Sequence, residues 1–136
     1  MTEKEILQIL NESCRNTLVE HLGIEYTAVE DGNLIAKMPL DHRTCRPDGA
    51  EHGGANMALA ETIAGAMSYV SVGENSRNNV FGIEINGNHM KQAKGSYVIA
   101  KGRFIHKGRK THVIEVEIRD EFNTLVTISR VTNVIV

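Results

Sequence analysis

Tryptophan is absent from this chain of 136 residues and only 4% of it is aromatic, so the interleaved aromatic and basic pattern of an RNA-reading sheet is missing. Neither sign of charge dominates. Lys plus Arg number 15 against 17 Asp plus Glu, a net charge of -2, which removes the general reason to expect a nucleic-acid partner. The two cysteines, Cys14 and Cys45, have no metal-ligand spacing and are too few for a secreted disulfide framework, so a reduced, cytoplasmic setting is expected. Six histidines lie scattered without paired spacing, and no metal site is expected from them. No apolar run approaches the roughly 18 residues of a membrane span. The opening MTEKEILQIL lacks a basic n-region and a small-residue cleavage site, so neither export nor membrane attachment is expected.

What is present fits one domain with a single core, spanning residues 1–136. Ile6, Leu7, Ile9, Leu10, Leu18 and Val19 recur among charged residues, which predicts an amphipathic N-terminal helix within residues 1–21, with Gly23 just past its end. IEYTAVE and NLIAKMPL flank Asp31-Gly32, a hairpin signal. A loop, DHRTCRPDGAE, leads to a long helix over 53–72, and four strand-like runs follow as a meander of antiparallel neighbours. In THVIEVEIRD, Ile114, Val116 and Ile118 alternate with Glu115, Glu117 and Arg119, so one face is to be buried. The expected class is α+β, one antiparallel sheet whose apolar face is covered by the central helix.

That helix, ANMALAETIAGAMSYVSV, is apolar nearly all round and carries one charge, Glu61. Such a helix should be buried on most faces. Met57, Ala58, Ala64 and Gly65, its helical neighbours, offer no cation, so a lone carboxylate in an apolar setting marks a functional group, against the plainer reading of a solvated edge. Gly53-Gly54 at the helix start leaves backbone N–H groups open at its positive end, an oxyanion hole in outline, although a bare glycine pair also suits a close-packed helix. Gly53 and Glu61 are eight residues apart, about 12 Å along the axis, too far to act on one carbonyl. Two copies with antiparallel central helices would bring the Gly53 end of one to Glu61 of the other, so an obligate homodimer with shared sites is expected.

Between Glu84 and Glu115 no acid occurs, while Lys91, Lys94, Lys101, Arg103, Lys107, Arg109 and Lys110 do. This stretch is read as a basic patch for a small polyanion, the HKGRKT turn supplying the Gly108 N–H and cationic groups, against the alternative of a strand edge protected by lysines.

Taken together, HGGANMALAET, GIEINGNH, HKGRKT and SRVTNVIV resemble the hotdog-fold thioesterases of the phenylacetate-pathway (PaaI-like) type, especially the branch of the 1,4-dihydroxy-2-naphthoyl-CoA and enterobactin proofreading thioesterases, from about Leu22 to Val136. The resemblance implies a curved antiparallel sheet around a long helix, dimers that pair into tetramers, and hydrolysis of an acyl-CoA with an aryl or hydroxyaryl acyl group. It gives Glu61 the role of nucleophile or base for water, and Gly53, after His52, that of polarising the thioester carbonyl from the other protomer. Gly54, Asn88, His89 and Lys91 would line the cleft, and Lys107, Gly108, Arg109, Lys110 and Thr111 would lie near coenzyme A, which belongs to the substrate, so no resident cofactor is implied. Two positions depart from the pattern. Arg46 stands six residues before His52, where the family has Gln or Asn; a guanidinium there would keep Glu61 ionised but less basic, or would pair with an acidic substrate group. Gly65 stands where relatives place Ser or Thr.

Other chemistries are weaker. Ser68 and Ser71 lack a nucleophile elbow, and Cys45 has His42 near it only in sequence. The alternatives kept open are a non-catalytic acyl-CoA-binding protein, disabled through Arg46 and Gly65, and an acyl-thioester dehydratase, whose proline-containing histidine motif is missing. The thioester itself is carried by coenzyme A or by a carrier protein.

Overall fold

The computed structural model describes all residues from Met1 to Val136. Helix α1 (Glu3–Ser13) starts in a capping box: Glu5 N–H donates to Thr2 Oγ1 at 3.1 Å, and Thr2 N–H to the Glu5 carboxylate at 2.8 Å. The expected single N-terminal helix is broken after Cys14. Asn16 adopts a φ of 60°, a left-handed turn that an α-helix does not accommodate, and a four-residue helix α2 (Leu18–His21) resumes after it.

Strands β1 (Glu25–Glu30) and β2 (Asn33–Pro39) form the predicted hairpin, with Asp31 at φ 51° and Gly32 at φ 77°, the two left-handed positions of a type I′ turn. Helix α3 (Gly53–Ser71) follows, then a 3-10 turn (Glu74–Asn79) and strands β3 (Val80–His89), β4 (Tyr97–Lys107), β5 (Thr111–Asp120) and β6 (Leu125–Ile135). All join one antiparallel sheet in the order β1-β2-β4-β5-β6-β3. The meander therefore holds only from β4 to β6. Strand β3 pairs with β6 at the far edge, and residues 90–96 carry the chain back past β6 and β5 to β4. That distance is about 14 Å at ~4.8 Å per strand, within the reach of seven extended residues.

The core is the apolar face of this sheet closed by α3. Leu59, Ile63 and Met67 of the helix are buried with Met38, Val98, Ile114, Val116, Ile118 and Val131 of the strands. At Gly102 the helix comes so close that a Cβ would lie 2.5 Å from Met67 Sδ. The Met67 side chain fills the space that a Cβ here would need. No helix is long and apolar enough to cross a membrane.

Candidate active site at the start of the central helix

The loop before α3 folds back on itself. Cys45 bridges Glu51, Arg46 N–H donates to Ala50 O at 2.7 Å, and the chain then enters α3 with His52 as its N-cap. His52 Nδ1 accepts from Gly54 N–H at 2.8 Å. Of the two glycine N–H groups expected as donors, Gly54 is thus already satisfied, and Gly53 N–H is the one with no partner in the chain. His89 comes to the same point from the end of β3: a Cβ on Gly53 would lie 2.7 Å from His89 Nε2. The imidazole therefore rests on the bare Cα of Gly53, which explains why this position is glycine.

A cavity of about 290 Å³ opens here, lined among others by Arg46, Glu51, Gly53, Asn56, His89 and Lys91. Behind it runs a polar chain with no spacing signal in the sequence. Asn56 Nδ2 donates to Glu51 Oε1 at 2.6 Å and to Thr127 Oγ1 at 3.2 Å, and Thr127 Oγ1 lies 2.8 Å from His89 Nδ1. Desolvation by burial pushes the Glu51 carboxyl up to about 7, with repulsion from Asp120 adding to it and the Asn56 hydrogen bond opposing it. Asn88, one residue before His89, projects to the opposite face of β3 and does not line this cavity.

Three expectations need correction. Glu61 is exposed in the single chain, because its face of α3 runs under the sheet edge at β3; its Oε1 would sit 3.0 Å from a Cβ on Gly82. Arg46 pairs with Asp48, Nε donating to Oδ1 at 3.0 Å, and this bond pulls the Asp48 carboxyl down to about 2, so the guanidinium is committed within its own loop rather than to Glu61. The acid-free stretch is not one patch: Lys101 pairs with Glu30 at 3.6 Å and Arg103 with Glu115, which neutralises its middle.

What remains of that stretch lies at its two ends: Lys91 on the wall of the first cavity, and the turn from Lys107 to Thr111 at the other end of α3. Gly108 N–H donates to Thr111 O at 2.9 Å, and Lys107, Gly108, Arg109 and His112 border a second cavity of about 400 Å³ with Ser71 and Val72. Lys107, Arg109 and Lys110 form no salt bridge. The turn is fastened to the helix by a buried cluster: His112 Nδ1 is 2.9 Å from Ser68 Oγ, which also accepts from Asn133 Nδ2 at 2.9 Å. Desolvation, and then the charge of Lys107, hold the His112 ring below the ordinary histidine range. Ser68 is wholly buried and is a structural tie, not a nucleophile.

A long helix cradled in a curved six-stranded antiparallel sheet is the hotdog fold of thioesterases. The chain belongs to the thioesterase superfamily, whose family model matches residues 48–127. It is 41% identical over 115 residues to the proofreading thioesterase EntH of Klebsiella pneumoniae, covering 85% of this chain and 82% of that one. The crystal structure of thioesterase HI1161 from Haemophilus influenzae superposes with a TM-score of 0.90 at 39% identity, covering 96% of this chain and 90% of that one. A glutamine-to-alanine mutant of thioesterase PA1618 from Pseudomonas aeruginosa gives 0.91 at 37% identity, with 96% and 93% covered.

Proposed function

We propose that this protein hydrolyses an acyl-CoA thioester, with an aryl or hydroxyaryl acyl group as the substrate class, and that it does so as a homodimer whose sites are shared. The observation that carries the reading is the unpartnered Gly53 N–H beside His89, on the helix that presents Glu61 at an open sheet edge. Placing two α3 helices antiparallel with Gly53 against Glu61 of the second copy puts the C-terminal end of that second helix about 15 Å beyond Gly53, at 1.5 Å per residue. The Lys107–Thr111 turn of the second copy then stands where the phosphates of coenzyme A would emerge, with the pantetheine arm spanning the gap. A carrier-protein thioester would enter by the same arm. Pairing of dimers into tetramers, a cytoplasmic location and the lack of any resident cofactor belong to the same reading.

In this site the thioester carbonyl accepts from Gly53 N–H, at the positive end of α3, which stabilises the charge that develops on oxygen. Glu61 of the second copy takes a proton from water as the water oxygen bonds to the carbonyl carbon. The tetrahedral oxyanion then collapses, the C–S bond breaks, and the thiolate leaves as coenzyme A and regains a proton. If Glu61 instead attacks the carbonyl carbon directly, the C–S bond breaks and the thiolate leaves in the first step, and water opens the resulting anhydride in a second, releasing the acid and restoring Glu61. A non-catalytic acyl-CoA-binding role is the second reading, supported by the lack of a hydroxyl at Gly65.

The test is thiol release from a panel of aryl- and fatty acyl-CoA esters, beside Glu61→Ala. Turnover that falls about 1000-fold or more in the variant supports hydrolysis, in the range of losing an essential base or nucleophile. No turnover on any ester, with coenzyme A binding retained, transfers the reading to the binding protein.

A further inference from the structure

We propose that Glu51 is a positioning residue which, through Asn56 and Thr127, selects the ring nitrogen on which His89 carries its proton. The chain of contacts is continuous, from Glu51 Oε1 to Asn56 at 2.6 Å, from Asn56 to Thr127 Oγ1 at 3.2 Å, and from Thr127 Oγ1 to His89 Nδ1 at 2.8 Å. Asn56 is 1% exposed and Thr127 is fully buried, so water does not interrupt the chain at either link.

Its logic follows from the donors and acceptors available. With Glu51 ionised, the carboxylate can only accept, so Asn56 must turn its amide N–H₂ towards it. The same N–H₂ then donates to Thr127 Oγ1, which leaves the Thr127 hydroxyl proton to be donated to His89 Nδ1. Thr127 Oγ1 has a second lone pair, but its own proton has no other acceptor in the chain, so this pairing favours His89 with its proton on Nε2, the nitrogen that lies against Gly53. With Glu51 protonated, the carboxyl O–H can donate to the Asn56 carbonyl oxygen instead. A protonated carboxyl can accept as well as donate, so the amide is no longer held in one orientation; in the turned-over form Thr127 donates to that oxygen and His89 Nδ1–H donates to Thr127, leaving Nε2 bare.

Both arrangements leave the same number of groups unpaired. In the structure Glu51 Oε2 and Asn56 Oδ1 have no partner; after the turn the second orphan is the Asn56 amide nitrogen. A buried unpaired group is unfavourable in either case, so the amide has no fixed preference and the carboxyl proton decides. The burial that raises the Glu51 carboxyl to about 7 places this choice in the working range. The charged and titratable groups around Glu51 are Asp120, whose charge favours the protonated form, Arg46 and Lys91 on the cavity wall, Cys45 across the backbone bridge, and His52, which is held by Gly54. Arg46 is neutralised by Asp48 and offers Glu51 no free cation.

The consequence rests on the thioesterase reading above: with Glu51 ionised, His89 is held with a second N–H donor beside that of Gly53, and with Glu51 protonated that hold is released. The experiment separates the two claims by reading His89 directly. Histidine-labelled full-length protein is titrated by ¹⁵N NMR from about pH 5.5 to 8.5, beside Glu51→Gln and Thr127→Val. The expected result is an Nε2–H tautomer at the alkaline end and an inflection of the Nδ1 shift near pH 7, distinct from protonation of the ring itself and missing from both variants. An Nδ1–H tautomer at alkaline pH, a profile without that inflection, or an inflection that survives in both variants overturns the proposal. Should Glu51→Gln fail to fold by circular dichroism, the isosteric Thr127→Val decides alone. In thiol release, Glu51→Gln should lose the limb of the kcat profile near pH 7 while KM stays within about twofold. Absence of thiol release in the unaltered protein would defeat the thioesterase reading and leave the tautomer result standing.

Discussion

The two edges of the sheet are treated in opposite ways. At β1 the strand is six residues long, carries a bulge at Tyr26/Ala28, and is closed by α1: Asn11 Nδ2 donates to Tyr26 O and Tyr26 N–H donates to Asn11 Oδ1, both at 2.9 Å. At β3 the strand is ten residues long, and Phe81 and Ile83 stand 52% and 61% exposed with nothing over them. A long apolar edge left open invites another strand. It is also the edge that flanks Glu61 and ends in His89. The side of the molecule lacking a cover is thus the side where the candidate catalytic parts lie unjoined, and a second copy would supply both needs at once.

Breaking the open edge should have the largest effect. Phe81→Glu removes about 2 kcal/mol of apolar burial and adds a charge that pairing must desolvate. The dimer dissociation constant measured by sedimentation should rise by about 100-fold or more, and thiol release should fall with it. A variant that stays dimeric and active would refute the shared site. The same idea is sharpened by mixing two dead proteins, Glu61→Ala and Gly53→Val, the second of which displaces His89. After exchange of subunits, half of the dimers are mixed and each holds one intact site, so about a quarter of full activity should return. No recovery, with exchange verified by mass, would place each site within one chain. At the closed edge the outcome should be the reverse. Asn11→Ala forfeits two hydrogen bonds and should lower stability by roughly 1–2 kcal/mol in urea, leaving the oligomer unchanged. A change of assembly state would mean that α1 does more than cap the strand.

The contrast between the edges also shows which features a sequence can carry. The Asp31-Gly32 turn and the alternation of Ile114, Val116 and Ile118 are local patterns with their expected form, and α3 starts at the expected Gly53 and ends at Ser71, one residue short of the expected 72. The seat of β3 beside β6 is not local, because seven residues can reach either neighbour and packing on α3 decides. Gly53 and His89 are far apart in the chain and meet in the fold, a contact that no local pattern marks. Glu51, Asn56 and Thr127 carry no signal of their own, since nothing in their spacing marks them: Thr127 is 71 positions from Asn56. Glu61 departs from expectation in another way. An apolar helix announces burial, but not whether its own chain provides it.

The smallest effect concerns stability and follows from Glu51. Its carboxyl has an ordinary value of 4.5 and is raised to about 7 in the fold, mainly by desolvation. Between those limits the folded protein holds a proton that the unfolded chain has released, so stability falls as pH rises from about 4.5 to about 7 and is flat beyond. Glu51→Gln removes that dependence. The shift alone would correspond to about 3 kcal/mol by linkage, but Glu51 is only partly buried and solvent screening reduces this to about 1 kcal/mol. In urea melts the variant should match the parent near pH 4.5 and exceed it by that amount at about pH 8. An advantage that does not grow between these values would show that Glu51 ionises freely in the fold, and the chain of contacts leading from it to His89 would then have nothing to switch it.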